Sequence, residues 1–206
     1  MKNTSQTREN IIEAAMHLFH SKGYDAVGVN EICQATGVSK GSFYHFFSTK
    51  LDLSLAVAET WWRMDQQVRQ TWDEQLDPVS RLRMTLTFRC SFSRQVQQET
   101  GFVLGCPFGR LIIELGNKSE ALREKVAEVF DDNYEWLRKN LLDAVRQGQL
   151  KPDYDVDAAA DLLLNTIQGI GVIGKVYNNV ERMEAIVNSM LEKLELHKPG
   201  AENNFL

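Results

Sequence analysis

Proline, cysteine and strand-type patterning are all scarce in this sequence. Four prolines stand among 206 residues (Pro78, Pro107, Pro152 and Pro199), each where a helix begins or has just ended. No stretch alternates apolar and polar residues, and no Asn-Gly or Asp-Gly pair marks a hairpin. These absences exclude a sheet protein and leave an all-α reading. Three cysteines (Cys33, Cys90 and Cys106) are odd in number and widely spaced, with no CxxC pair and no Cys/His cluster. Neither a disulfide framework nor a zinc site is expected, and a reduced cytoplasm is the expected compartment. The longest uncharged run, Leu162 to Gly174, is shorter than the roughly 20 residues that span a bilayer and includes Asn165, Thr166 and Gln168. The polar start, MKNTSQTREN, lacks the apolar core of a signal peptide. An excess of basic charge is lacking too: the net charge of −5 argues against a generic polyanion binder.

What is present is an ordinary soluble composition, 43% apolar, 25% charged and 9% aromatic, enough for a real core. The length fits one mid-sized domain or a small domain joined to a larger one. The charge is uneven. Residues 1–50 hold five basic and four acidic side chains, a balance of +1, so the remainder of the chain carries −6. An acidic body with a slightly basic head approaches DNA in one orientation only.

Helical periodicity runs almost throughout. Ile11, Ala14, Ala15, Leu18 and Phe19 share a face over about 7–22, and Gly23 ends that helix. A second helix is expected over 29–36, a very short third over 39–45 with Ser39 as its cap, and a long fourth from Ser48 to about 75. Pro78 opens a fifth that runs to about Gln98. A short helix lies within 101–116, and longer ones over 119–147, from Asp155 or Asp157 to Tyr177, and over 181–196. That makes about nine.

The most informative stretch is VNEICQATGVSKGSFYHFFSTK, residues 29–50. Two short helices meet at Gly37-Val38, a helix-turn-helix pattern. Ile32, Cys33, Val38, Phe43 and Phe47 bury together and fix the angle between them. The second helix then exposes Lys40, Gly41, Ser42, Tyr44 and His45 to a major groove: a cation, a close-approaching backbone, hydroxyls and a ring donor.

The composite of IIEAAMHLF, KGY at 22–24 and NEICQATGVSKGSFYHFFSTKLDL at 30–53 resembles the TetR family of bacterial transcriptional regulators. The likeness covers about the first 55 residues. It implies that Lys40, Gly41, Ser42, Tyr44 and His45 read DNA, that Val29 and Asn30 lie near phosphates, and that Thr49 and Lys50 clamp a phosphate at the start of the fourth helix. Gly28 departs from the Thr or Ser that family members often carry there. The resemblance further implies a helical regulatory body that pairs with a second copy. Ile173, Tyr177, Met183, Ile186, Val187, Met190, Leu191 and Leu194 are the candidates for that pairing, with packing inside the chain the alternative for the Met183–Leu194 stripe. Pairing is favoured because one short reading helix covers few base pairs, whereas a two-fold pair reads a palindrome.

Phe88, Phe92, Phe102, Cys106, Phe108, Tyr134, Trp136, Asn165 and Gln168 are candidates to line an effector site, or are ordinary core. Cys106 precedes the short helix at Pro107, where a helix dipole favours a thiolate. It is either a small buried hydrophobe or an electrophile sensor of the kind some TetR-like repressors carry. His17 and His20 find no third ligand, so no metal is expected. Gly169 to Gly174 spells GxGxxG, but its flanks read as helix and no strand precedes it, so close helix packing explains it better than a dinucleotide.

The expectation is therefore a reading domain over 1–50, a ligand-binding and dimerisation domain over 51–197, and a tail over 198–206. The protein is expected to be a cytoplasmic, cofactor-free, non-enzymatic homodimer that represses from a palindromic operator and is released by a small molecule or electrophile. The alternative is a thiol-based redox protein or enzyme using Cys106.

Overall fold

A computed structural model describes residues 4–195, with side chains for residues 5–193. The described residues form nine helices and no strand: α1 (Thr4–Lys22), α2 (Val29–Thr36), α3 (Lys40–Phe46), α4 (Lys50–Gln75), α5 (Pro78–Thr100), α6 (Pro107–Leu115), α7 (Glu120–Arg146), α8 (Val156–Tyr177) and α9 (Val180–Glu195). The all-α expectation holds. The tail over 198–206 and the side chain of Leu194 lie outside the described residues.

Short-range chemistry accounts for the helix ends. The Asp77 carboxylate accepts from the amides of Val79 and Ser80 at 3.1 and 3.2 Å, and Pro78 fills the first helical position of α5. That carboxyl group is held down to about 2, chiefly by the hydrogen bond from the Ser80 side chain; burial opposes it, and Gln149 and the Ser80 and Val79 amides add to the lowering. The fourth helix starts one residue later than Ser48 would place it. Thr49 is the cap: its hydroxyl accepts from the Asp52 amide at 3.0 Å, and the Asp52 carboxylate accepts from the Thr49 amide at 2.9 Å. Ser48 and Thr49 both offer a hydroxyl, but only Thr49 has an acid three residues on to return the bond. Gly37 ends α2 at φ +68°, a left-handed turn that any side chain would strain.

The chain divides into two compact units. One comprises the described residues through Gln66 together with Pro107–Val129; the other comprises Gln67–Cys106 and the described residues from Phe130 onward. In the first unit Ile11, Ala15, Phe19, Ile32, Phe43, Leu53 and Val57 are fully or almost fully buried. Arg110 on α6 donates to the carbonyl of His20 at 3.1 Å, and Glu114 accepts from the amide of Asp25 at 2.8 Å, so α6 is tied to the end of α1.

In the second unit Leu82, Leu86, Leu137, Leu141, Leu163, Ile170, Met183 and Val187 share one core. Glycines let its helices close up. A Cβ on Gly174 would run into the Met183 side chain, and one on Gly171 would sit 3.4 Å from the Cys106 amide nitrogen. Gly171 and Gly174 of the GxGxxG string are therefore packing positions within α8. By length and composition α8 is also the one described helix apolar enough to cross a membrane. Its Leu163, Ile167 and Ile170 are buried in this core, while Leu162, Val172, Val176 and Tyr177 are exposed.

Candidate nucleic-acid interface and aromatic cluster

The helix expected to read DNA is α3, seven residues long and held at both ends. The Ser39 hydroxyl accepts from the Ser42 amide at 3.1 Å, and the Phe47 amide donates to the Phe43 carbonyl. Phe43 is fully buried and Phe47 nearly so, with ring centres 6.0 Å apart. These two anchors leave Lys40, Gly41, Tyr44 and His45 on the exposed side, with Ser42 half-buried. Tyr44 is 52% exposed and stands edge-on to the Phe43 ring at 5.3 Å, so a large aromatic is held facing solvent. A monomer with no use for it would leave that apolar surface uncovered for nothing.

The neighbouring candidates divide. Asn30 is exposed and Val29 half-buried at the start of α2, where Gly28 caps without a side-chain hydrogen bond. Thr49 is exposed, but its hydroxyl oxygen is committed to the α4 cap. Lys50 is turned inward. Its Nζ donates to the carbonyls of Tyr24 and Val27, both at 2.8 Å, and lies 3.9 Å from the centre of the Tyr24 ring. Burial pushes its pKa down, opposed by the nearby carboxylates of Asp25 and Glu114. Its ammonium ties down the α1–α2 loop with two of its three N–H donors.

Three of the ligand candidates meet in the second unit. Phe88 packs edge-on to Trp72 at 5.5 Å and stacks with Phe92 at 6.4 Å, and Trp72 lies 6.4 Å from Trp136. A polar network borders this cage. Arg69, only 4% exposed, bonds Asp132 and lies 5.6 Å over the Trp136 ring. The Trp136 indole donates to Asp73 at 3.2 Å, and Arg81 donates to the Asp73 carbonyl at 2.7 Å and to Asn140 at 3.3 Å. The Nε of Arg81 faces Oδ1 of Asp73 at 3.6 Å, an ion pair at the edge of the network.

The other ligand candidates lie elsewhere. Phe102 is exposed, and Asn165 is exposed with its amide bonded back to the Asp161 carbonyl. Gln168 is half-buried on α8. Tyr134 packs on the second unit's core, and Phe108 packs against Trp61 in the first unit. Cys106 is half-buried immediately before α6. Cys90 and Cys33 are buried, and burial drives the Cys90 thiol up to about 11. Sequence reasoning missed Arg69, Asp73 and Arg81. Arg69 carried a signal: it falls on the helical stripe of Ala58, Trp62 and Trp72, where a charge has no place unless it is partnered.

Of the pairing candidates, Tyr177 is exposed and Ile173 and Ile186 are half-buried. Met183, Val187, Met190 and Leu191 are each at most 8% exposed within the chain's own core. These four side chains of the α9 stripe are covered within the chain, while Ile186 is only half-buried.

A family model described as bacterial regulatory proteins, tetR family, matches residues 11–57, and one described as the tetracyclin repressor-like C-terminal domain matches residues 78–190. The chain belongs to the TetR family. The transcriptional regulator AcuR of Cereibacter sphaeroides is 32% identical over 170 residues, 77% of this chain and 72% of that protein. The transcriptional repressor DhaR of a Mycobacterium species is 25% identical over 198 residues, 95% of this chain and 94% of that protein. A solved TetR regulatory protein from Rhodobacter sphaeroides is 28% identical and superposes with a TM-score of 0.78, covering 89% of this chain and 96% of that one. As a TetR-family member this protein is a ligand-responsive transcriptional regulator and not an enzyme, with α2 and α3 as its helix-turn-helix.

Proposed function

We propose that this protein is a cytoplasmic homodimeric repressor that binds a palindromic operator and is released by a small molecule. The observation that carries the reading is the exposed face of α3: Lys40, Gly41, Tyr44 and His45 held outward by buried Phe43 and Phe47. The repressor relative DhaR supports the sign of regulation. Pairing is supported by α8, whose Leu162, Val172, Val176 and Tyr177 remain exposed at 52–68%. With four side chains of α9's apolar stripe turned inward, this α8 face is the better candidate for the seam between copies. Leu162, Gly169, Val172 and Val176 follow spacings of seven, three and four, the pattern of two helices lying side by side.

The effector site is the cage of Trp72, Phe88, Phe92 and Trp136 beside Arg69, Asp73 and Arg81. Rings supply an apolar body-binding surface, and the bordering Arg69, Asp73 and Arg81 supply the polar groups that orient a ligand. Cys106 serves as a second input if electrophiles act on the protein: its position before Pro107 puts a modified thiol at the start of α6, which is tied to α1. Coupling between effector and operator is then a free energy shared between two sites.

The test is a gel shift on a selected operator, comparing the wild type with Val172→Glu and Phe88→Ala. The reading expects Val172→Glu to sediment as a monomer and lose operator affinity. It expects Phe88→Ala to bind operator but respond poorly to the inducer. A Val172→Glu protein that remains dimeric removes α8 as the seam.

A further inference from the structure

Holding DNA requires cations against phosphates, and the first unit has few to offer. Among its described residues, Lys22, Arg63, Arg110, Lys118, Arg123 and Lys125 each face a carboxylate, at 2.6–3.9 Å. Lys50 is held by two carbonyls. Two cations have neither a carboxylate nor a carbonyl against them: Lys40 on the reading helix, and Arg8 near the start of α1.

Arg8 is exposed, yet it has a fixed perch. Its guanidinium carbon lies 5.2 Å from the centre of the Phe47 ring. Phe47 is 3% exposed, directly follows α3 and is separated from α4 only by Ser48 and Thr49. A guanidinium stacked on a ring keeps its charge and most of its donors for another partner, and its planar fork suits a phosphate better than an ammonium does. The charge is thus fixed over the residue that directly follows α3, while Lys50 is drawn to the carbonyls of Tyr24 and Val27.

We propose that Arg8 is a DNA-backbone contact, the cation that neutralises the phosphate facing the α3–α4 junction. This rests on the operator-binding reading above. The contact positions the reading helix and carries no base preference. A purely structural role is the competing account, with Arg8 stapling α1 to Phe47.

Salt dependence separates the two. Operator affinity is measured by fluorescence anisotropy from about 50 to 200 mM KCl for the wild type, Arg8→Gln and Arg8→Lys, with thermal melting of each. Arg8→Gln is expected to lower the slope of log affinity against log salt by about 0.9 per reading head, with roughly tenfold or greater loss at low salt and the same preferred sequence. Arg8→Lys is expected to restore the slope. An Arg8→Gln protein with the wild-type slope overturns the proposal, and if its melting point also falls, the staple account replaces it. A wild type that binds no duplex anywhere in that range overturns the operator reading itself.

Discussion

Lys50 sits with its Nζ 2.8 Å from the carbonyl oxygen of Tyr24 and 3.9 Å from the centre of the same residue's ring. With Val27 taking a second bond, one ammonium fastens the loop between α1 and α2 to the first turn of α4. Replacing it with Gln is expected to destabilise the protein by about 1–3 kcal/mol, the range for losing charge-assisted bonds to partly buried carbonyls. Urea denaturation checks this. A stability within about 0.5 kcal/mol of wild type would return Lys50 to the role of a free surface cation.

Gly28 caps α2 at φ −89° and ψ 155°, with no side-chain bond and nothing within 4 Å of where a Cβ would stand. Serine fits there without strain and supplies the missing acceptor. Gly28→Ser is expected to add a few tenths of a kcal/mol of stability. It is also expected to tighten operator binding through a new hydroxyl near the phosphates. Melting and anisotropy read the two effects separately.

Gly174 and Gly169 belong to the same GxGxxG string and should behave in opposite ways. Gly174→Val is expected to cost about 1–3 kcal/mol, because its methyl groups would enter the space of Met183 and Val103. Gly169 has nothing within 4 Å of a built Cβ, so Gly169→Ala is expected to be neutral or stabilising by up to about 1 kcal/mol. Equal losses at both positions would contradict a packing role, and calorimetry distinguishes the outcomes.

Asp77 gives the stability a pH signature. Its folded pKa, about 2, lies below the usual 3.8, so its stabilisation is present above about pH 4 and fades as pH falls toward 2. Asp77→Ala is expected to cost about 1 kcal/mol near neutral pH. The gap between variant and wild type should close in the acid range. A gap that persists at pH 2 would mean that the lost interaction is not ionic.

Much of this fold is legible because its helices carry their own end signals. Asp77-Pro78 and Gly37 each mark a boundary through one residue's chemistry. Periodicity reveals that a face is buried, however, and not what buries it. That is why the stripe from Met183 to Leu194 reads as a seam between copies or as internal core, and why on α8 the pattern suggests Ile173 and Tyr177 but not the exposed Val172 and Val176. Long flexible side chains are harder still. Lys50 and Arg8 are both cations close to the reading helix, and only three-dimensional neighbours show that one points at carbonyls and the other rests on a ring. The arginines bordering the cage were missed because a charge in an amphipathic helix is taken for its wet side, whereas Arg69 is nearly enclosed.

The most direct measurement is selection of bound duplexes from a random DNA pool, run in parallel with the wild type and Tyr44→Ala. The wild type is expected to enrich a palindrome whose half-sites lie about one helical turn apart. Tyr44→Ala should stay folded, because the ring it removes is half exposed, and should enrich nothing. Wild-type enrichment of no sequence, or recovery of the same sequence at equal affinity by Tyr44→Ala, would contradict α3 as the element that reads DNA.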